Sequence, residues 1–197
     1  MTNKIISEPA TGINRAFTVH FSKPDAADRG EIEQFIGDIF HQAYGAKIKH
    51  FMPYLMNLRD LDGKLIAACG LRSAATERLF VENYMDQPVE VLLSERIGSI
   101  VQRSDIVEIG NFSVAEPGMA RQLITAIFDQ LYATSKQWVV FTTVQVLHNA
   151  LIKKNITPEI LCDADKEHLP LEDQSDWGSY YEQKPQVMAI RRSKTIA

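Results

Sequence analysis

Cysteine is nearly absent from this chain. Its 197 residues include two, Cys69 and Cys162. Each stands in a short apolar stretch, with no second cysteine or histidine at the spacing a zinc ion needs. That speaks against a disulfide framework and a zinc centre, and buried free thiols on neighbouring strands are the expectation. An excess of positive charge is missing too: 21 Lys and Arg stand against 25 Asp and Glu, for a net charge of -4. A protein that grips nucleic acid without sequence preference needs a basic face to neutralise phosphates, so no nucleic-acid partner is expected. The local basic pairs are Lys153–Lys154 and Arg191–Arg192. Long hydrophobic runs are absent, and none approaches the ~20 residues of a membrane-spanning helix. The first seventeen residues contain no apolar segment of the secretory kind, which points to a cytoplasmic protein. Secretion by an unconventional route and contact with a membrane surface stay open. Internal repeats and low-complexity segments are lacking as well. His20, His41, His50, His148 and His168 show no pairing by spacing, so no metal site is expected, and Ser113 lacks the glycine elbow of a serine hydrolase.

What is present is an ordinary globular composition, 45% hydrophobic and 23% charged, enough for a sizeable core. Residues 1–15 are polar and weakly patterned and read as a flexible arm, with a single domain over 16–197. Alternation predicts a strand over 16–21. Asp28 with Glu31 three positions on suggests a capping box, opening an amphipathic helix over 29–44 that Gly45 ends. A hairpin follows, with strands 54–59 and 64–71 about the Asp62–Gly63 turn. Residues 79–85 suggest a short helix, and Pro88 opens another to about Ile97. Within 105–114, Val107, Ile109 and Phe112 suggest a strand, with Gly110 marking a bulge or a close backbone approach. Met119, Leu123, Ile124, Ile127, Phe128 and Leu131 mark one face of a helix to about Ser135. A β-rich run at 138–143, a helix over 145–154 and strands at 160–162 and 186–191 complete the chain. This order gives a mixed, α+β architecture: a central sheet with helices on both faces.

Two features carry chemistry. Glu108 is an acid on a predicted central strand, where both faces are normally apolar. It reads either as a general base for an attacking amine, its pKa raised by burial, or as the partner of Arg72 or Arg103 in a strand-end salt bridge. The strand–turn–helix over 105–135 places free backbone N–H groups and the positive end of a helix dipole at the 115–121 turn, a natural anion site. Arg121 stands in that first helical turn, where an arginine disfavours the dipole unless an anion or Glu116 offsets it. Trp177, Tyr180 and Tyr181 form an aromatic cluster that suits core packing, a lid, an acyl-tunnel wall or a membrane dip.

Six segments together resemble the thermostable haemolysin family of marine bacteria: FIGDIFHQAYGAKI at 35–48, LRDLDGKLIAACG at 58–70, ERLFVENY at 77–84, VEIGN at 107–111, WVVFT at 138–142 and WGSYY at 177–181. The family name records a lytic phenotype and supplies no mechanism. ACGLRSAAT at 68–76 and EIGNFSV at 108–114 are similar to strand motifs of the acyl-homoserine-lactone synthases, which share the acetyltransferase (GNAT-type) fold. Arg72, Glu108 and Phe112 match, while Asn111 replaces an arginine. The acidic run of those autoinducer synthases after the first helix is missing, since 47–52 contains no acid, and this counts against lactone synthesis.

The resemblance implies a central, mostly antiparallel mixed sheet of that type. It also implies transfer of an acyl group from acyl-CoA or an acyl carrier protein to a small amine acceptor. In that setting Glu108, Arg72 and Asn111 become candidate catalytic residues. Arg72 would grip a carboxylate, phosphate or carbonyl, or serve as a surface ion pair. The Asn111 amide would bond the pantetheine arm or thioester oxygen, or satisfy the bulge. Phe112, Val114, Gly118, Met119, Ala120 and Arg121 become candidate thioester-binding positions, PGMAR at 117–121 being a partial match to a pyrophosphate loop. Leu151 falls where acetyltransferases often place a tyrosine acid. A directly membrane-active haemolysin and a non-catalytic thioester binder are the alternatives.

Overall fold

The computed structural model describes Ile5–Ile6 and residues 16–153 and 155–192. Eight strands form one sheet: β1 (Ile5–Ile6), β2 (Phe17–Ser22), β3 (Tyr54–Asp60), β4 (Leu65–Ser73), β5 (Ile106–Val114), β6 (Trp138–Thr143), β7 (Glu159–Asp163) and β8 (Gln186–Arg191). Their order is β1-β2-β3-β4-β5-β6-β8-β7. β5 and β6 run parallel and the other neighbours are antiparallel. The helices are α1 (Arg29–Tyr44), α2 (Val89–Ile97), α3 (Met119–Tyr132), α4 (Gln145–Ile152) and the short α5 (Leu171–Gln174). Of the expected N-terminal arm, Ile5–Ile6 pair with Thr18 and Phe17 at the sheet edge. The rest of 1–15 lies outside the described residues, as does Lys154.

Local chemistry explains most boundaries. The β3–β4 turn closes because the Asp60 carboxylate accepts the N–H groups of Asp62 (3.1 Å) and Lys64 (2.9 Å), with Gly63 at φ +82°. Gly45 ends α1 in the left-handed region, its N–H bonded to His41 O. Three expectations change. The capping box at Asp28 does not form: its carboxylate accepts the Ser22 hydroxyl (2.7 Å), and Glu31 pairs with Arg59 at 2.6 Å. Residues 79–85 make a 3-10 turn, Phe80–Tyr84, not an α-helix. Glu82 folds back to accept the Leu79 N–H at 2.8 Å, and Pro88 blocks continuation. α3 stops at Tyr132 and α4 at Ile152, short of the expected ends at about 135 and 154, although the last apolar positions, Leu131 and Leu151, lie inside them. At the end of α3 the last amides turn to i−3 carbonyls, Ala133 to Gln130 and Thr134 to Leu131.

Both faces of the sheet are covered. On one, α3 lays Leu123, Ile124, Ile127 and Leu131 over Met56, Leu58, Val107, Ile109, Val139 and Phe141. Each such side chain contributes roughly 1.5–3 kcal/mol when fully buried. On the other, α1 packs Ile32, Ile36 and Phe40 on Leu55 and Ala68, while Leu79, Val81, Val89 and Leu93 cover Ile106, Val140 and Ala189. The central strand β5 is thus buried on both sides, which makes any charge on it conspicuous.

Candidate active site

The site begins with two strands that separate. β5 and β6 pair from Ile106–Trp138 through Ile109–Phe141, and the ladder stops there. β6 carries on with β8 through Thr142 and Thr143, while β5 turns wholly to β4. A bulge drives the divergence. Ala68 pairs with Ser113 and Gly70 with Gly110, so Asn111 and Phe112 together stand opposite Cys69 and β5 carries one extra residue. Asn111 sits at φ +50°, a left-handed conformation that asparagine tolerates better than most residues.

The facing glycines 70 and 110 have a steric reason. The loop after α1 crosses them and seats Met52 there. A Cβ on Gly70 would come within 2.7 Å of Met52 Cβ, and one on Gly110 within 2.4 Å of its terminal methyl. The Asn111 side-chain oxygen accepts the Met52 N–H at 3.3 Å, and Arg29 donates to the carbonyls of Met52 (2.7 Å) and Pro53 (3.2 Å).

Between the parted strands runs a cavity of about 450 Å³ that borders both sheet faces. One end is apolar, walled by Ile124, Ile127, Phe128, Phe141, Leu147 and Leu151 beneath α3 and α4. The other end lies on the α1 face, where Glu108, Arg72, Thr142, Phe80, Trp177 and Tyr180 line it. Thr142 Oγ is buried and makes no hydrogen bond among the described residues.

Glu108 is 1% exposed. Its Oε2 accepts the Phe80 N–H at 2.8 Å and its Oε1 the Val81 N–H at 2.9 Å. Burial pushes its carboxyl up to about 7; the two N–H donors and the Arg72 charge pull the other way. Arg72 is the direct cross-strand partner of Glu108. It forms no ion pair with it, lying instead 3.3 Å from Glu77 through Nε. Arg103, the other candidate partner, is also engaged elsewhere: it bonds both oxygens of Glu82 (2.6 and 2.8 Å) and Glu90 at 2.7 Å. Glu82 further accepts the N–H groups of Leu79 and Val89. Burial raises the Glu82 carboxyl, but Arg103 and those amides outweigh it and hold the group below its ordinary value. This network fixes the 3-10 turn whose amides face Glu108.

The segment after α5 closes the α1-face end. The Ser179 N–H bonds Tyr44 O (2.8 Å), the Lys47 N–H bonds Asp176 O (2.6 Å), and Lys49 pairs with Asp176 at 2.6 Å. Trp177, Tyr180 and Tyr181 pack on one another and on Phe40, Tyr44, Phe80 and Tyr84, and the Tyr84 and Tyr181 hydroxyls bond.

The structure therefore brings Glu108, Arg72, Asn111, Phe112, Val114 and Ala120 together around one cavity. Gly118, Met119 and Arg121 are not among its lining residues. Met119, the first residue of α3, is buried against the sheet, and Gly118 and Arg121 are exposed. The Met119 N–H is taken by Glu116 O at 2.9 Å and the Ala120 N–H by Pro117 O at 3.4 Å, so two amides of the expected anion cradle are occupied. Sequence reasoning missed Met52, Glu82 and Thr142. Glu82 carried a signal, since it is an acid directly after the apolar run Leu79-Phe80-Val81; Met52 and Thr142 carried none.

Sheet, bulge and parted strands define a class. The chain is similar to FeeM, an N-acyl amino acid synthase from uncultured soil microbes, at 11% identity and a TM-score of 0.61 over 89% of this chain and 92% of that one. It is similar to the AHL synthase LasI at 12% identity and 0.59, over 91% and 92%. It is also similar to the apo form of TofI at 11% and 0.59, over 90% and 91%. The fold is thus the mixed α+β, acetyltransferase-like fold of acyltransferases and AHL synthases. Within that class, the family model described as thermostable hemolysin matches residues 22–196, and the chain belongs to this family. No individual curated protein matches the sequence.

Proposed function

We propose that this protein transfers an acyl group from an acyl thioester, of coenzyme A or of an acyl carrier protein, to a small amine. The observation that carries the reading is the cavity through the parted strands, which joins a buried acid at one end to an apolar pocket at the other. The thioester's acyl chain occupies the apolar end. Its pantetheine arm lies along the unpaired edge of β5 past Phe112, Val114 and Ala120, with Asn111 and the unpartnered Thr142 hydroxyl as hydrogen-bonding groups. Gly118, Met119 and Arg121 stand at the start of α3, where the phosphates of coenzyme A or of the carrier's prosthetic arm emerge. The amine nitrogen attacks the thioester carbonyl and a C–N bond forms. Glu108 takes the proton the nitrogen sheds. The C–S bond then breaks and the proton passes to the departing sulfur, so amide and free thiol are the products. The reading supports a cytoplasmic site of action, where such thioesters are made.

Purified protein incubated with acyl thioesters and a panel of amines tests this through thiol release. Release above the no-amine background is expected, and Glu108→Gln lowers it by about 10²–10⁴-fold. Absence of release with every thioester and amine sinks the reading. Thioester binding without turnover identifies the non-catalytic alternative. The family's lytic description favours one second reading, a directly membrane-active protein, which leakage of liposomes by the protein alone would establish.

A further inference from the structure

The acceptor end of the cavity holds two opposite charges side by side that do not meet. Arg72 and Glu108 are directly opposed on β4 and β5, which sets their side chains on the same face with Cβ atoms roughly 5 Å apart. Both border the cavity. A buried acid and a neighbouring guanidinium would ordinarily satisfy each other. Here the Glu108 oxygens are drawn to the Phe80 and Val81 N–H groups. The Arg72 Nε is buried and makes no hydrogen bond among the described residues. Its nearest anion, Glu77, approaches to 3.3 Å without bonding geometry and is 42% exposed on its side chain, so water competes for it. The remaining Arg72 bond, to Arg78 O, is long at 3.4 Å. Each Glu108 oxygen keeps a free lone pair after accepting one N–H.

We infer that the amine acceptor is a free α-amino acid with an apolar side chain, its amino group on Glu108 and its carboxylate on Arg72. This rests on the acyl-transfer reading above and extends it to the acceptor. An α-amino acid carries its two charged groups on one carbon, close together as the two strands present their complements. A simple alkylamine would leave the Arg72 Nε without an acceptor, and a planar guanidinium suits a carboxylate best of all. The walls settle the side chain. Phe80, Trp177 and Tyr180 border this end of the cavity. At its rim Lys49 pairs with Asp176 at 2.6 Å and His50 lies 3.6 Å from Asp173, while the exposed Lys47 makes no ion pair among the described residues. A charged side chain pressed among those three rings would lose water that the exposed Lys47 at the rim replaces poorly, whereas an apolar one loses nothing.

The experiment measures thiol release from a long-chain acyl thioester with leucine, leucine methyl ester, 3-methylbutylamine, aspartate and lysine as acceptors, for the wild type and for Arg72→Gln and Arg72→Lys. Leucine should exceed the two acceptors that lack a free carboxylate by about 10- to 100-fold in kcat/KM, the scale of one charge-assisted pair, and should also exceed aspartate and lysine. Arg72→Gln should collapse the leucine-to-amine ratio towards one, and Arg72→Lys should restore part of it. The wild-type ratio is informative even if a variant fails to fold. Equal or better use of 3-methylbutylamine, or a ratio that Arg72→Gln leaves intact, overturns the inference while acyl transfer stands. No thiol release with any acceptor removes both.

Discussion

Burial places the Glu108 carboxyl near 7 rather than at its ordinary 4.5, and two measurements follow. As a base it must be ionised, so kcat/KM should climb with pH through about 7 and level off above it. Stability should move the opposite way. Between 4.5 and 7 the folded chain holds a proton that the unfolded chain has released, so the group's contribution falls as pH rises, by about 3 kcal/mol across the window. Urea unfolding at pH 5 and pH 8 should show this loss in the wild type and not in Glu108→Gln; other titrating groups cancel in the difference. Arg103 gives a second test. Arg103→Gln strips the cation from nearly buried Glu82, at a cost of about 2–3 kcal/mol, below the usual range for a buried pair because Arg103 stays 29% exposed. It also loosens the turn that aims the Phe80 and Val81 amides at Glu108. The pH inflection of activity should therefore rise above 7, a change that loss of stability alone would not produce. At this scale the sequence was partly legible. An acid in the run Val107-Glu108-Ile109 contradicts the apolar pattern of a central strand, so Glu108 could be singled out. Its hydrogen-bond partners could not, because Phe80 and Val81 donate main-chain N–H groups, which leave no mark on residue type.

At the scale of elements, the closing segment depends on one glycine. Gly178 adopts φ +51° and ψ -128°, and a Cβ there would lie 2.0 Å from Tyr44 O. Gly178→Ala cannot keep this backbone against α1. It should lower stability by at least about 1–3 kcal/mol and, by displacing Trp177 and Tyr180, raise the acceptor KM; thermal melting and steady-state kinetics check the two effects. Beneath α3, Ile124→Trp should fill the apolar end of the cavity. Turnover of long acyl donors should then fall about tenfold or more relative to short ones, which competition between two chain lengths in one reaction would read directly. The main elements are legible because strand and helix patterns differ: α1 and α3 start where the 3.6-residue repeat puts them, and β6 falls on the β-rich run at 138–143. The apolar residues of the 3-10 turn at Phe80–Tyr84 also fit a helical spacing; what decides against a helix is the Glu82 carboxylate, which reaches back to the Leu79 N–H and is held by Arg103 from across the fold. The bulge was flagged by Gly110, but its partner glycine and Met52 lie far apart in sequence, and no local pattern joins them.

At the scale of the whole molecule, a family described by lysis has to be reconciled with a sheet built around a reaction cavity. Among the described residues no helix is long and apolar enough to cross a membrane. The sheet has two edges, β1 and β7, and apolar cores on both its faces, so most of its apolar surface packs against helices, with Phe21, Tyr54 and Ile160 exposed on separate strands. The net charge of -4 gives no general attraction to an anionic bilayer. The product of the proposed reaction, in contrast, is an amphiphile: an acyl chain joined by an amide to a head that keeps its carboxylate. Such a molecule partitions into bilayers with a strength that grows by about 0.8 kcal/mol per buried CH₂. Lysis should then track turnover rather than protein. Dye-loaded vesicles mixed with the purified protein should stay sealed. They should leak after a long-chain thioester and leucine are added together, with a lag that shortens as enzyme is increased. Glu108→Gln should abolish that leakage, and filtrate freed of protein should retain it. Prompt leakage from protein alone, unchanged in Glu108→Gln, would instead locate the lytic agent in the polypeptide.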